Sequence, residues 1–216
     1  MKKARTAFET LRSVAGDRYA VLVADGVAYA VGNGRVCLAW TPAPDIPAGC
    51  YDRAGTPDPD LRPAGNAENT KGLVLRATRG ARYCLAPEDT AELARMVERA
   101  LVAVEPAPRG FRSRGPWDAT RLTKQADTLT VTAKNVCADE YTGCEYTGRM
   151  AMPGPEFDIL LSARRLRAAL AVVGVTPAQP KPMTLCISKT VFPCSLSPSF
   201  ISADETTGCL IAPLRP

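Results

Sequence analysis

Hydrophobic and polar positions change their period several times along the chain, and each change marks an element. Phe8, Leu11 and Val14 recur every third residue, which predicts a short helix over 4–14. The runs Tyr19-Ala-Val-Leu-Val, Val27-Ala-Tyr-Ala-Val and Arg35-Val-Cys-Leu-Ala-Trp read as strands. Asp25-Gly26 separates the first two runs and Asn33-Gly34 the next two. A type I′ turn needs positive φ at both central residues, which these dipeptides supply, so a three-stranded meander is expected. Residues 41–70 hold Pro42, Pro44, Pro47, Pro57, Pro59 and Pro63 and read as loop, connector or partly extended edge.

The pattern then repeats. Leu73-Val-Leu-Arg-Ala and Arg82-Tyr-Cys-Leu-Ala read as strands. Pro87-Glu88-Asp89 opens the longest helix, because proline and acids suit the orphan N–H groups of a first turn. Its apolar stripe is Leu93, Met96, Val97, Leu101 and Val104, and Pro106 and Pro108 end it. Residues 106–117 follow as a basic, aromatic loop with Arg109, Phe111, Arg112, Arg114 and Trp117. Such a loop can stack single-stranded nucleic acid, or Phe and Trp can anchor it to the core. Strands are expected at Thr120–Thr123, Thr128–Ala133 and Tyr146–Met150. Ser162 caps a third helix that buries Leu166, Ala169, Leu170 and Val173 and ends at Gly174. Strand-like runs then lie at Met183–Ser188, Val191–Leu196, Phe200–Ser202 and Cys209–Pro213. Helix followed by meander thus occurs about three times, as a repeat of pattern rather than of residues. The class is α+β with antiparallel sheets.

Composition narrows the chemistry. The chain has 216 residues, 46% of them apolar, enough for a core. No run of eighteen apolar residues predicts a membrane span, and no apolar stretch follows Met-Lys-Lys to make a signal peptide. Histidine is absent, which removes the commonest general base, metal ligand and nucleophile partner. No Gly-rich phosphate loop is present, because no Lys-Ser/Thr follows Gly32-Asn-Gly. Asp58 with Asp60, and Asp139 with Glu140, read as solvated turns. The eight cysteines contain no Cys-x-x-Cys, and Cys37, Cys186 and Cys209 lie in apolar runs as small hydrophobes. Neither catalytic residue, metal site nor cofactor is expected. The net charge of +5 suits loose contact with nucleic acid and many proteins without it.

Residues 157–216 carry a more specific signal. They run Phe157-Asp-Ile-Leu-Leu-Ser-Ala-Arg-Arg-Leu-Arg-Ala-Ala-Leu into a meander and close on Gly208-Cys-Leu-Ile-Ala-Pro-Leu-Arg-Pro216. This resembles the C-terminal end of bacterial DNA sliding clamps, the β subunit of the replicative polymerase. There a unit reading like Phe-x-x-x-x-x-x-Leu-x-x-x-Leu leads to a terminal Met-Pro-Met-Arg-Leu. Here Ala212, Leu214 and Pro216 replace the two Met and the Leu. Val23-Ala-Asp-Gly-Val-Ala-Tyr-Ala-Val-Gly-Asn-Gly-Arg-Val-Cys-Leu also resembles the family's strand–strand segment, commonly written with Ala-Thr-Asp-Gly-His-Arg-Leu-Ala, and Gly32-Asn33-Gly34-Arg35 stands where Thr-Asp-Gly-His-Arg would be.

The resemblance implies DNA-clamp-like βαβββ units, with antiparallel sheets and helices on one face. Residues 1–80 would be an N-terminal clamp-like half or shortened domain, and 81–216 a C-terminal clamp-like domain. Clamp helices line a ring bore, so Arg95, Arg99, Arg164 and Arg167 would meet the phosphates of double-stranded DNA without reading sequence. The plain alternative is a solvated face paired with Glu92 and Glu98. Leu210, Ala212, Pro213, Leu214 and Arg215 would wall a groove for a short apolar peptide of a DNA polymerase or another clamp-binding protein. Pro213 cannot donate to a ladder, so pairing is expected to stop there and leave the last residues free. The expected protein is a non-enzymatic, cytoplasmic, homo-oligomeric processivity factor, of a kind that fits a phage or plasmid in a GC-rich host. Three units per chain would close a twelve-unit ring with four copies, or three copies if 41–80 hides a fourth unit. Two rivals stand beside it. One is a clamp-fold decoy or inhibitor of the replication machinery that forms no ring. The other is a small enzyme using Cys144, whose thiolate would lack a histidine activator.

Overall fold

The computed structural model describes residues 6–14, 20–31, 37–61, 72, 74, 80–104, 119–134, 145–192, 195–202 and 206–214. The first helix, α1 (Ala7–Leu11), is shorter than the apolar spacing predicts and is fixed at its start by a capping box. Thr6 Oγ1 accepts from Glu9 N–H, and Glu9 Oε2 accepts from Thr6 N–H at 2.8 Å. Three strands follow, β1 (Val21–Ala24), β2 (Val27–Val31) and β3 (Cys37–Pro42). Asp25 and Gly26 both take positive φ, 48° and 70°, as the turn chemistry requires. Asn33-Gly34 lies outside the described residues. The proline-rich stretch contributes a three-residue edge strand, β4 (Gly49–Tyr51), paired with β1. Tyr51 holds it in place by donating to the Pro47 carbonyl at 2.7 Å and packing its ring on Phe8 at 5.4 Å.

Two further units follow. The first is β5 (Ala81–Leu85), α2 (Pro87–Val104), β6 (Ala119–Gln125), β7 (Thr128–Lys134) and β8 (Glu145–Ala151). The second is β9 (Phe157–Ser162), α3 (Ala163–Val172), β10 (Met183–Phe192), β11 (Ser195–Ser202) and β12 (Gly208–Ile211). Their opening strands are exchanged: β5 pairs with β10, and β9 pairs with β6. One sheet has four strands in the order β8-β7-β6-β9. The other has eight, β4-β1-β2-β3-β12-β11-β10-β5, so β3 and β12 stitch the N-terminal meander to the last unit. All pairings are antiparallel.

Two expectations change. Val74 is helical rather than extended, and the rest of the 73–77 run lies outside the described residues. Met183–Ser188 and Val191–Leu196 are not two strands, because β10 runs unbroken to Phe192 and β11 starts at Ser195, absorbing Phe200–Ser202. The expected gap between Ser188 and Val191 is met instead by a register shift between Ser188 and Phe192.

The main core lies between the helices and one face of each sheet. The whole predicted stripe of α2 is buried, as are Leu166, Ala169 and Leu170 of α3. Ser162 caps α3 as expected, accepting from Arg165 N–H at 3.3 Å, and Gly174 beyond it has φ 72°. The core-facing row of β6 carries two polar residues, Thr120 and Lys124. Lys124 is completely buried, with its ammonium donating to the carbonyls of Ala126 and Gly154. That ties the β6–β7 turn to the loop before β9 and satisfies a group too costly to bury alone.

A candidate DNA-facing helix surface and a partner-docking seam

The helices lie side by side on one face of the sheets. Helix α1 packs against α3 and the β2–β3 hairpin, α3 against β9 and β12, and α2 against β7 and β8. An ion pair crosses between the long helices, Arg167 Nη1 to Glu98 Oε2 at 3.7 Å. Both partners are about half exposed, so it links the two helices at the surface. Arg95, Arg99, Arg164 and Arg167 are all exposed there. Arg95 is also engaged, donating from Nε and Nη2 to Glu92 Oε2 at 2.9 and 2.7 Å. At least two of the four predicted cations therefore carry a carboxylate, as a solvated face would, and all four are exposed on the two long helices. A cleft of about 250 Å³ opens between the helices, lined by Ala94, Val97, Leu170 and Val175 with the Glu98–Arg167 pair beside it.

The predicted docking residues divide. Leu210 is buried, whereas Ala212, Pro213 and Leu214 are partly exposed, and Arg215 lies outside the described residues. Beyond β12 the backbone is not free of the sheets: Leu214 N–H donates to Leu160 O of β9 at 2.7 Å. Leu210 belongs to a second apolar cluster with Tyr29, Leu38, Trp40 and Cys186, on the sheet face opposite the one that carries α1 and α3. The register explains the gathering, since Leu38 stands opposite Leu210, and Trp40 opposite Gly208. Gly208 gives the indole its room, because a Cβ there would fall 2.2 Å from Trp40 Cζ2. Val27, Val31 and Val74 pack at the margin. The sequence held a signal for this seam: β2 is apolar without alternation, which a strand takes when both its faces are covered.

The ion pairs elsewhere are structural. Arg121 makes a forked pair with Asp158, at 2.8 and 2.5 Å, across the exchanged strands β6 and β9. The Arg121 hydrogen bond holds the Asp158 carboxyl below the usual carboxylate range. Asp52 is lowered in the same direction, first by the hydrogen bond from Thr56 N–H. Burial raises the Tyr83 phenol, whose O–H donates to Pro155 O at 2.6 Å. Cys186 and Cys209 are fully buried among apolar neighbours, while Cys137 and Cys144 lie outside the described residues. Among the described residues no helix is long and apolar enough to cross a membrane.

Known structures match this architecture closely in shape and distantly in sequence. The DNA polymerase III subunit beta of Pseudomonas aeruginosa superposes with a TM-score of 0.62 at 13% identity, covering 100% of this chain and 68% of that one. The chain has the sliding-clamp fold. The DNA polymerase sliding clamp of Bacillus subtilis aligns at a TM-score of 0.63 and 14% identity, over 98% of this chain and 63% of that one. The beta clamp of H. pylori, in complex with 5-chloroisatin, aligns at 0.61 and 12%, over 98% and 65%. This chain thus spans roughly two thirds of the length of these clamps. No family profile and no curated protein matches the sequence. In clamp terms, β5–β8 and β9–β12 are two βαβββ units, and α1 with β1–β3 follows the αβββ part of a third among the described residues.

Proposed function

We infer that this is a clamp-like DNA-replication protein that holds duplex DNA against its helix face and captures an apolar peptide of a polymerase at its C-terminal seam. On this reading residues 81–216 are one two-unit clamp domain and 1–80 a shortened half domain. The observation that carries the reading is the helix pair α2 and α3, on which Arg95, Arg99, Arg164 and Arg167 all reach solvent in a clamp fold. Flexible cations on a rigid helix pair suit backbone phosphates, which need charge but no base reading. Nothing in this function calls for a reacting group, so the protein is not an enzyme on this reading. Several copies would together surround the duplex, and the cytoplasm is where such a protein would act.

The docking half of the proposal assigns Leu210, Ala212, Pro213, Leu214 and Arg215 to the peptide groove. Leu214 is partly exposed at the end of the seam, and its backbone is anchored to β9, which gives an incoming peptide a fixed wall. The test is binding to two duplexes of unrelated sequence across a salt series. Equal affinities that fall with salt, by roughly 0.9 in log K per log salt for each phosphate contact, support the reading. No binding at low salt would leave the decoy reading, which the pairing of Arg95 and Arg167 with Glu92 and Glu98 favours.

A further inference from the structure

Helix α3 ends in a turn that folds the chain back along its own side. Gly174 takes φ 72°, and Val175 N–H donates to Leu170 O at 2.8 Å. A left-handed glycine after the last turn is a common way for a helix to stop while its final carbonyls stay bonded. Here it sets Val175 against α3, and mutual backbone bonds between Thr176 and Gln179 then turn the chain outward. Helix α2 stands on the other side, and the space between is the cleft of about 250 Å³. Its walls are Ala94 and Val97 of α2, Leu170 and Ala171 of α3, and Val175. An alanine on each helix leaves the gap, which a longer side chain at either position would fill. Val97, Leu170 and Val175 are buried, so core packing holds the walls in place.

Two charges stand at the rim. Arg167 Nη1 and Glu98 Oε2 are 3.7 Å apart, well beyond the roughly 2.7–2.9 Å of a charge-assisted hydrogen bond. The pair attracts without bonding, so the guanidinium fork and the carboxylate both keep capacity for a ligand. A ligand for this rim must carry both signs. An apolar anion that reached Arg167 would face Glu98, and an apolar cation on Glu98 would face Arg167. An amino acid holds its ammonium and carboxylate on one carbon. With the ammonium on Glu98 and the carboxylate on Arg167, four charges alternate around a closed ring, and the existing gap is its fourth side. The side chain on the same carbon then enters the cleft. The walls are aliphatic, and the volume is below the 300–1,000 Å³ or so of drug-sized sites, so a branched aliphatic side chain suits it.

We propose that the cleft between α2 and α3 is a binding site for a free branched aliphatic amino acid, held by Glu98 and Arg167 at the rim and by Val97, Leu170 and Val175 within. Apolar burial supplies affinity, and the charge ring sets orientation and excludes ligands of one sign. A ligand with so few heavy atoms binds with a dissociation constant of roughly 1 mM. The proposal does not rest on DNA or peptide binding and survives if those fail.

The experiment is a titration of the full chain with L-leucine, followed by the backbone amide shifts of residues 94–98 and 174–176. Those shifts should saturate. Glycine, 4-methylpentanoate and 3-methylbutylamine, which lack the side chain, the ammonium and the carboxylate in turn, should each bind at least tenfold more weakly. Ala94→Leu and Ala171→Leu fill the cleft and should each abolish the response in a chain that is folded by circular dichroism. Glu98→Gln, a surface change that leaves the core alone, should weaken L-leucine about tenfold and bring it level with 4-methylpentanoate. No saturation at tens of millimolar L-leucine overturns the proposal and leaves Glu98 and Arg167 as a bridge between helices. Binding of 4-methylpentanoate as tight as that of L-leucine overturns the charge ring. A response that Glu98→Gln or the folded cleft-filling variants leave unchanged places the ligand elsewhere and overturns the site.

Discussion

The two complete βαβββ units are built alike and end differently. In the unit of α3 the last strand, β12, is buried at all four positions and continued by β3. In the unit of α2 the last strand, β8, exposes Glu145, Thr147, Arg149 and Ala151 and ends the sheet. Backbone pairing is available to both, so side chains decide. A strand apolar on both faces needs cover on both, and β12 obtains it from helix α3 below and Trp40 alongside. A strand with opposite charges spaced four apart stays soluble alone and is selective about what joins it.

That contrast breaks most visibly at the seam. Trp40→Ala removes a nearly buried ring from over Gly208 and should cost about 3–5 kcal/mol in urea unfolding. Glu145→Ala, on the open edge, should stay within about 0.5 kcal/mol by the same measurement in the monomer. Equal costs would mean the seam is not the stronger closure.

The unit of α2 has its own weak point inside. Lys124→Ala removes a buried stem and leaves the Ala126 and Gly154 carbonyls without their donor, which should cost about 2–4 kcal/mol. Lys124→Met should regain part of that loss, namely the share due to the stem. A methionine as costly as alanine would put the whole effect on the ammonium. Thr120 sits on the same row with its hydroxyl buried and unpartnered among the described residues. Thr120→Val should therefore raise the unfolding midpoint, by about 1 kcal/mol of stability. A loss would reveal a partner for that hydroxyl.

The smallest effect concerns the strand exchange that joins the units. Asp158 of β9 is held below its ordinary value of 3.8 by Arg121 of β6. Its folded value lies under its unfolded one, so the contribution is complete above about pH 4 and lost as pH falls through the folded value. Both side chains are about half exposed, so the slope is shallow. Asp158→Asn should lower the neutral plateau slightly, leave the acid end unchanged and so flatten the acid limb of a stability–pH curve by the same small amount. An acid limb as steep as the parent's would remove the pair from the account.

How much of this was legible in the sequence follows the same physics. Local signals were readable: Asp25-Gly26, Ser162 and the stripe from Leu93 to Val104 sit where turn, cap and helix periodicity put them. The four arginines are exposed because helical spacing alone sets them opposite the stripe. Long-range pairing was not readable. Nothing local in Gly49-Cys-Tyr shows that β1 will accept it, and nothing in Ser188-Lys-Thr shows that a strand continues through a register shift. The apolar seam was only partly legible, because Leu210 stands in an apolar run while Tyr29, Leu38 and Trp40 reach it only through the β3–β12 register.

On the proposed function, one face of the molecule touches DNA. Arg99→Ala with Arg164→Ala should lower the slope of log K against log salt by roughly 1.8, two phosphate contacts' worth, in a fluorescence anisotropy titration of duplex DNA. Arg121→Ala with Lys134→Ala, on the far face of the four-stranded sheet, should leave the slope unchanged. An undiminished slope in the helix variant, or an equal fall in the sheet variant, would contradict the claim that the helix surface holds the duplex.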